Sequence, residues 1–430
     1  MSASEAPPAV PATPTVPAAS PAAPATRPAT LDTARHRAPA LDGLRAVAAL
    51  LVIALHVGIY TGQVASSWLG IGEAGPLGPV ISRFTVGVPV FFVLSGLLLY
   101  RPYANAARDG RQPPSTGRYL WHRVLRILPV YWVVALVSLV WFGRDTLGEL
   151  WPALRTFLLL HIYAPEPIPL GITQTWSLAT EVAFYVVLPV LALALHPLLR
   201  RGRAGTVFGV LAVVELLTLG SLVATHVPSA GAYPLPSLWL PEYAGYFAAG
   251  MALAVLAARP DGPPAAVRRL VRRPWWCWGV ALLAYVVVST PVSGSTLRYP
   301  TVAEALVEHL LYLVVAVALI APLALGSGTG GPARLLAGRV PAWLGRVSYG
   351  LFLWHMVVVE GWLRITGQRA GSAEFWVLFP VTVLLTVALA GLAHYAIERP
   401  VSRLRGRHAA PPATAPAPDP AVRPSAAPGA

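Results

Sequence analysis

The chain has 430 residues, of which 56% are hydrophobic and only 12% charged, against about a quarter charged in an ordinary soluble domain. That composition excludes a soluble globular protein, and apolar runs near the length of a bilayer crossing, about 20 residues, recur along it. The net charge of +14 would suggest nucleic acid in a soluble chain. Here topology accounts for it, and no nucleic-acid partner is expected. The single cysteine, Cys277, excludes an internal disulfide framework and a cysteine-rich metal site.

In chain order, residues 1–37 are dominated by Pro, Ala and Thr. Such a composition cannot bury enough surface to offset chain entropy, so a disordered tail is expected, with no conventional signal peptide ahead of the first apolar run. Ten helices are then predicted, at 41–60, 86–100, 127–142, 175–196, 206–226, 238–257, 274–290, 302–325, 343–363 and 376–397, with a candidate interfacial helix at 151–163. Residues 406–430 repeat the composition of the first tail. The expected fold is therefore an all-α polytopic membrane protein, one membrane domain over 38–405 between two Pro/Ala-rich tails. Helices are the element to expect, because an open sheet edge cannot satisfy its backbone in lipid.

Charge placement sets the orientation. All 32 basic residues are arginine. The second, fourth, sixth and eighth connecting loops carry 17 of them, and the odd-numbered loops only six: Arg83, Arg144, Arg155, Arg298, Arg364 and Arg369. Cytoplasmic loops retain Lys and Arg, which predicts cytoplasmic termini for a multi-pass protein of the cell membrane.

Ionisable residues inside spans are expensive and usually face a cavity or a partner. The first span, LDGLRAVAALLVIALH, holds Arg45 and His56. Eleven residues amount to three turns plus about 20°, so both lie on one face, about 16 Å apart along the axis. An interfacial anchor and a histidine hydrogen-bonded between helices are the structural readings of the same pair. Ser95 and Gly96 near the middle of the second span suit close helix packing. Arg123 and Arg126, one turn apart before the third span, suit a phosphate or, equally, anionic lipid headgroups. In the fourth span Glu181 and Tyr185 share a face, and in the ninth His355 follows Ser348 by seven residues on one side. His56, Glu181 and His355 are expected at comparable depth, where a carboxylate could orient an imidazole as a general base. Glu215, Glu242, Glu304, Glu308 and His309 are further embedded candidates without an assigned role.

These motifs together resemble the acyltransferase-3 family of integral-membrane acyltransferases. The resemblance rests on Arg45 with ten residues before His56, on FFVLSG at Phe91–Gly96 and on Arg123-Val124-Leu125-Arg126. It is extended by WSLATEVAFY at Trp176–Tyr185, VSYGLFLWH at Val347–His355 and AIERPVSR near the C-terminus. It implies transfer of an acyl group, usually acetyl, from cytoplasmic acyl-coenzyme A to a hydroxyl of a sugar, a cell-surface glycan or a glycosylated metabolite, with no metal. It implies His56 as the catalytic base and Glu181 as an acid or orienting group. Arg123 and Arg126 become binders of the coenzyme A phosphates, Arg45 the partner of His56 on its face, and Ser95, Tyr185 and His355 further binding residues. Some members carry a fused extracytoplasmic hydrolase-like domain; none stands in this sequence, so action alone or with a separate partner is expected. A transporter for an acyl or polyketide-like solute is the alternative from another class. A bare scaffold would leave the embedded Arg, His and Glu unexplained.

Overall fold

A computed structural model describes residues 39–295, 297–326 and 330–404; the two expected tails, 1–37 and 406–430, lie outside the described residues. Ten apolar helices follow in order: α1 Pro39–Tyr60, α2 Gly87–Arg108, α3 Thr116–Phe142, α4 Trp176–Arg200, α5 Ala204–His226, α6 Leu240–Ala258, α7 Pro274–Val288, α8 Val302–Leu325, α9 Arg339–Thr366 and α10 Phe375–Ala393. No strand forms among the described residues beyond an isolated Ser66–Ile71 bridge. The molecule is an all-α polytopic membrane protein, and among the described residues nine helices are long and apolar enough to cross a bilayer.

The exception is α7, with 15 residues. At about 1.5 Å per residue it rises about 22 Å, short of the roughly 30 Å apolar layer. Pro274 starts it, and Pro291 opens a 3₁₀ turn just beyond its end. Other helices run past their apolar stretches: α3 begins at Thr116, eleven residues before the predicted start, with the Ser115 hydroxyl accepting from the Arg118 amide. Arginine-bearing turns stay helical because their guanidiniums can lie beyond the apolar layer. The ends of α2, α4 and α9 fall next to Gly110, Gly202 and Gly367, all at positive φ.

The two most extensive helix packings join helices that are distant in sequence. α2 packs mainly on α6 and α1 on α9. At the first crossing a Cβ on Gly96 would lie 2.1 Å from the Phe247 carbonyl oxygen, and one on Gly250 2.1 Å from that of Val93. Only glycine lets the two backbones approach this closely. Around the bundle, Val190 on α4, Leu217 on α5, Leu282 on α7 and Trp376 on α10 are all at least 64% exposed. Large apolar side chains facing outward on every side belong to a protein solvated by lipid.

The α3–α4 connection departs from a surface loop. The predicted helix over 151–163 breaks into a helix Leu150–Phe157 and a 3₁₀ turn His161–Tyr163, separated where Leu159 adopts φ 58°. The chain then turns inward: Ile162, Ile172, Gln174 and Thr175 are buried, and the Gln174 amide donates to the Leu353 carbonyl (2.9 Å), halfway along α9. α4 therefore begins inside the bundle rather than at its rim.

Arginines are also distributed more unequally than counting suggested. Of the six in odd-numbered loops, three are neutralised: Arg83 by Glu308 at 2.5 Å, Arg155 by Glu166 at 2.8 Å and Arg298 by Glu304 at 2.5 Å.

Candidate functional site

Helices α1 and α9 run in the same direction in close contact. Gly345 lies against the Asp42 backbone, where a Cβ would sit 1.9 Å from the carbonyl oxygen. Further along, the His355 and His56 rings meet, and past them the Tyr60 hydroxyl donates to Glu360 (2.8 Å). Contacts at 42/345, 56/355 and 60/360 hold the two helices in register.

His355 Nε2 lies 3.3 Å from His56 Nδ1, with ring centroids 5.0 Å apart. Each Nδ1 also faces a carbonyl one turn back, His56 that of Val52 at 2.9 Å and His355 that of Leu351 at 3.3 Å. Protons assigned to both Nδ1 atoms satisfy these acceptors and make His355 Nε2 the acceptor facing His56. The lone pair of His56 Nε2 then stays uncommitted among the described residues. A neutral imidazole held at one nitrogen and open at the other has the form of a general base.

Toward the N-terminal ends of α1 and α9 the chemistry changes. The Ser95 hydroxyl donates to the Glu181 carboxylate, so the α2 motif divides its labour: Gly96 packs and Ser95 reaches across to α4. Arg45 lies 5.5 Å over the Phe91 ring and within electrostatic reach of Arg126, Glu181, Tyr185 and Asp42. Arg123 lies 6.0 Å over the Tyr185 ring and within reach of Arg126, Tyr119 and Glu181. Three guanidiniums thus gather close to the Glu181 carboxylate, with Asp42 also in reach of Arg45, and none forms an ion pair with a described residue. The Arg123 Nε–H and the Tyr119, Tyr103 and Tyr100 hydroxyls are buried without hydrogen-bond partners among the described residues. Surplus positive charge with orphaned buried donors is the signature of an anion site, since such groups are otherwise almost always satisfied.

A cavity of about 40 Å³ lies beside Arg45 and extends to Phe352. Arg45, Glu181, Ser177, Ser348 and Phe352 are among its lining residues, and the Phe352 ring lies 6.0 Å from that of His355. The structure therefore brings Arg45, Ser95, Arg123, Arg126, Glu181 and Tyr185 into one cluster and His56 with His355 into another.

One expectation is corrected. Glu181 does not stand beside the histidines. Because α4 starts at the middle of the bundle, a residue two turns into it drops to the level of the arginines. The partner of His56 is His355, not a carboxylate. Sequence reading also missed the buried Tyr60–Glu360 bond; its signal was a glutamate five residues beyond His355 in the same apolar run. Among the described residues, no group of three or more His, Cys, Asp or Glu could hold a metal ion.

A family described as an acyltransferase domain matches residues 39–395. Among characterised sequences, Acyltransferase MdmB of Streptomyces mycarofaciens is 28% identical over 89% of this chain and 96% of its own length. A putative peptidoglycan O-acetyltransferase, YrhL of Bacillus subtilis, is 27% identical over 86% of this chain; the match spans 56% of that longer protein. The exopolysaccharide production protein ExoZ of Rhizobium meliloti is 28% identical over 76% of this chain and 92% of its own. No solved structure matches.

Proposed function

We propose, from the premise that this chain belongs to the acyltransferase-3 family, that it moves an acyl group, typically acetyl, from acyl-coenzyme A to a hydroxyl of a sugar, a surface glycan or a glycosylated metabolite. The chain is an acyltransferase for groups other than aminoacyl groups; the donor and the acceptor class are the proposal. One observation carries the donor: Arg45, Arg123 and Arg126 gather without an ion pair among the described residues, and Arg45 lines a cavity that reaches Phe352, next to His355. Coenzyme A presents several phosphates, and guanidiniums bind phosphate by paired, charge-assisted hydrogen bonds. The arginine-rich loops support a cytoplasmic position for that end, where acyl-coenzyme A is found, and for both termini.

In this reading Arg123 and Arg126 hold phosphates and the pantetheine arm extends past Arg45 toward His56. His56 Nε2 takes the acceptor hydroxyl proton as the oxygen attacks the thioester carbon, then returns it to the departing sulfur. Relatives named for peptidoglycan O-acetylation and for exopolysaccharide production support a glycan acceptor.

The test follows thiol release and acceptor mass together, using the purified chain with acetyl-coenzyme A. Stoichiometric thiol and acylated product support the reading; movement of a solute without thiol release would establish a transporter instead. Reporter fusions within 62–80 should read outside and those within 104–116 inside; the reverse pattern overturns the orientation.

A further inference from the structure

A further cavity, of about 60 Å³, lies in the α3–α4 connection, with Arg155, Thr156, His161 and Glu166 among its lining residues. The connection follows the C-terminal end of α3, whereas Arg123 and Arg126 lie near the start of that helix. The cavity therefore belongs to the end of the bundle opposite the arginines. It also reaches inward. The Tyr131 hydroxyl donates to the Thr156 carbonyl and the Trp132 Nε1–H to that of Phe157 (2.9 Å), both from halfway along α3. His161 touches Thr175, and the neighbouring Gln174 donates to the Leu353 carbonyl (2.9 Å), two residues before His355. One chain of contacts thus links the cavity to the helix that carries half of the histidine pair.

His161 is 6% exposed, the most deeply buried ionisable group on the lining. Its Nε2 lies 3.3 Å from the Thr175 hydroxyl, whose own hydrogen goes to the Ile172 carbonyl at 2.6 Å. Nε2 is therefore the donor and Nδ1 the lone pair, for which no described residue supplies a hydrogen. Burial pushes the imidazole down to about 4, so the lone pair persists at neutral pH. Buried acceptors are almost always satisfied. Toward the exposed side, Arg155 donates twice to Glu166 (2.8 and 3.0 Å), an ion pair that keeps spare guanidinium hydrogens and carboxylate lone pairs. An anion would meet the carboxylate and the imidazole lone pair, and a cation would meet the guanidinium. A neutral group that both donates and accepts suits all three. That group is a hydroxyl.

We propose that this cavity is a carbohydrate subsite, in which one hydroxyl of a sugar unit donates to His161 Nδ1 and a neighbouring hydroxyl is held by Arg155 and Glu166. The proposal deepens the glycan-acceptor reading above and rests on it. Neither His56 nor His355 lines the cavity, so the unit held here is not the one that reacts. The reacting hydroxyl belongs to another unit of the same acceptor, and donor and acceptor approach from opposite ends of the bundle. No acyl chemistry falls to His161.

The test reads binding directly. The full chain, labelled with ¹⁵N-histidine in lipid nanodiscs, is titrated with lactose, cellobiose, N,N′-diacetylchitobiose and methyl rhamnoside. The Nδ1 resonance of His161, assigned by its loss in His161→Gln, should move from the free toward the hydrogen-bonded range and saturate with at least one sugar. Saturation-transfer measurements on that sugar then compare two variants. Gln keeps a donor near Nε2 for Thr175 but offers no acceptor at the Nδ1 position, and should weaken Kd about tenfold or more. Asn places a carbonyl oxygen near Nδ1 but loses the Thr175 bond, and should bind within about threefold of wild type. An Nδ1 resonance unmoved by every sugar would leave the cavity to water and overturn the proposal, whether or not the variants fold. Tighter binding by Gln than by Asn would overturn it too, by making His161 structural. Sugar binding as expected, with no acylated product from acetyl-coenzyme A, would overturn the transfer reading and leave the subsite standing.

Discussion

Two polar regions are built into the same bundle, and they differ in how charge is answered. Between α5, α6 and α8, buried charges have partners: Arg83 meets Glu308, His309 meets Glu215 at 2.9 Å, and Glu242 accepts from the hydroxyls of Ser221 (2.9 Å) and Thr225 (3.0 Å). Arg83 also donates to the Gly294 carbonyl at 2.6 Å, pinning the connection between α7 and α8. Between α1, α2, α3, α4 and α9, three arginines surround one glutamate, and buried donors are left over. Satisfied charges in an apolar bundle fix structure; unsatisfied ones are tolerated where something else completes them. All of these residues are embedded, so embedding by itself separates no site from scaffold.

The sharpest way to break this contrast is His56→Gln. Gln restores a hydrogen bond but cannot take up a proton at neutral pH, so a general base should lose about 10² to 10⁴ in turnover with expression and folding retained. Substantial thiol release by the folded variant would make His56 structural and move the base to His355.

Arg123→Ala tests the arginine cluster. A lost charge-assisted contact is worth about 1.5–3 kcal/mol, which corresponds to a donor KM raised at least about tenfold. Unchanged donor binding with failed membrane insertion would make Arg123 a topology anchor.

Glu308→Gln should behave in the opposite way. It strands Arg83, whose side chain is only 10% exposed, and should cost about 2 kcal/mol of stability while the donor KM stays constant. A raised KM at unchanged melting temperature would erase the distinction between the regions.

The smallest effect belongs to the start of α8, where Thr301 and Glu304 form a reciprocal capping box. Thr301→Ala should cost about 1 kcal/mol, a small fall in melting temperature in nanodiscs with no change in kcat.

Hydropathy alone determined most of the architecture. Ten apolar helices stand where the runs of Leu, Val and Ala put them, because a bilayer admits few ways to satisfy a backbone. Motif spacing also selected the residues now gathered around the cavity, since a period of 3.6 places Arg45 with His56 and Ser348 with His355 on single faces. Which of them meet was a tertiary decision. Glu181 joined the arginines because the 159–175 segment folds into the bundle, held by Gln174 on the α9 backbone, and a buried connection of that kind has no hydropathy signature. His355 became the partner of His56, and Ser348 stood level with Arg45, because a glycine at 345 lets α9 settle on the α1 backbone. Helical periodicity assigns a side chain its face and its height on its own axis; the stagger between axes is set by such contacts, and it decides which polar groups find partners and which are left for substrate.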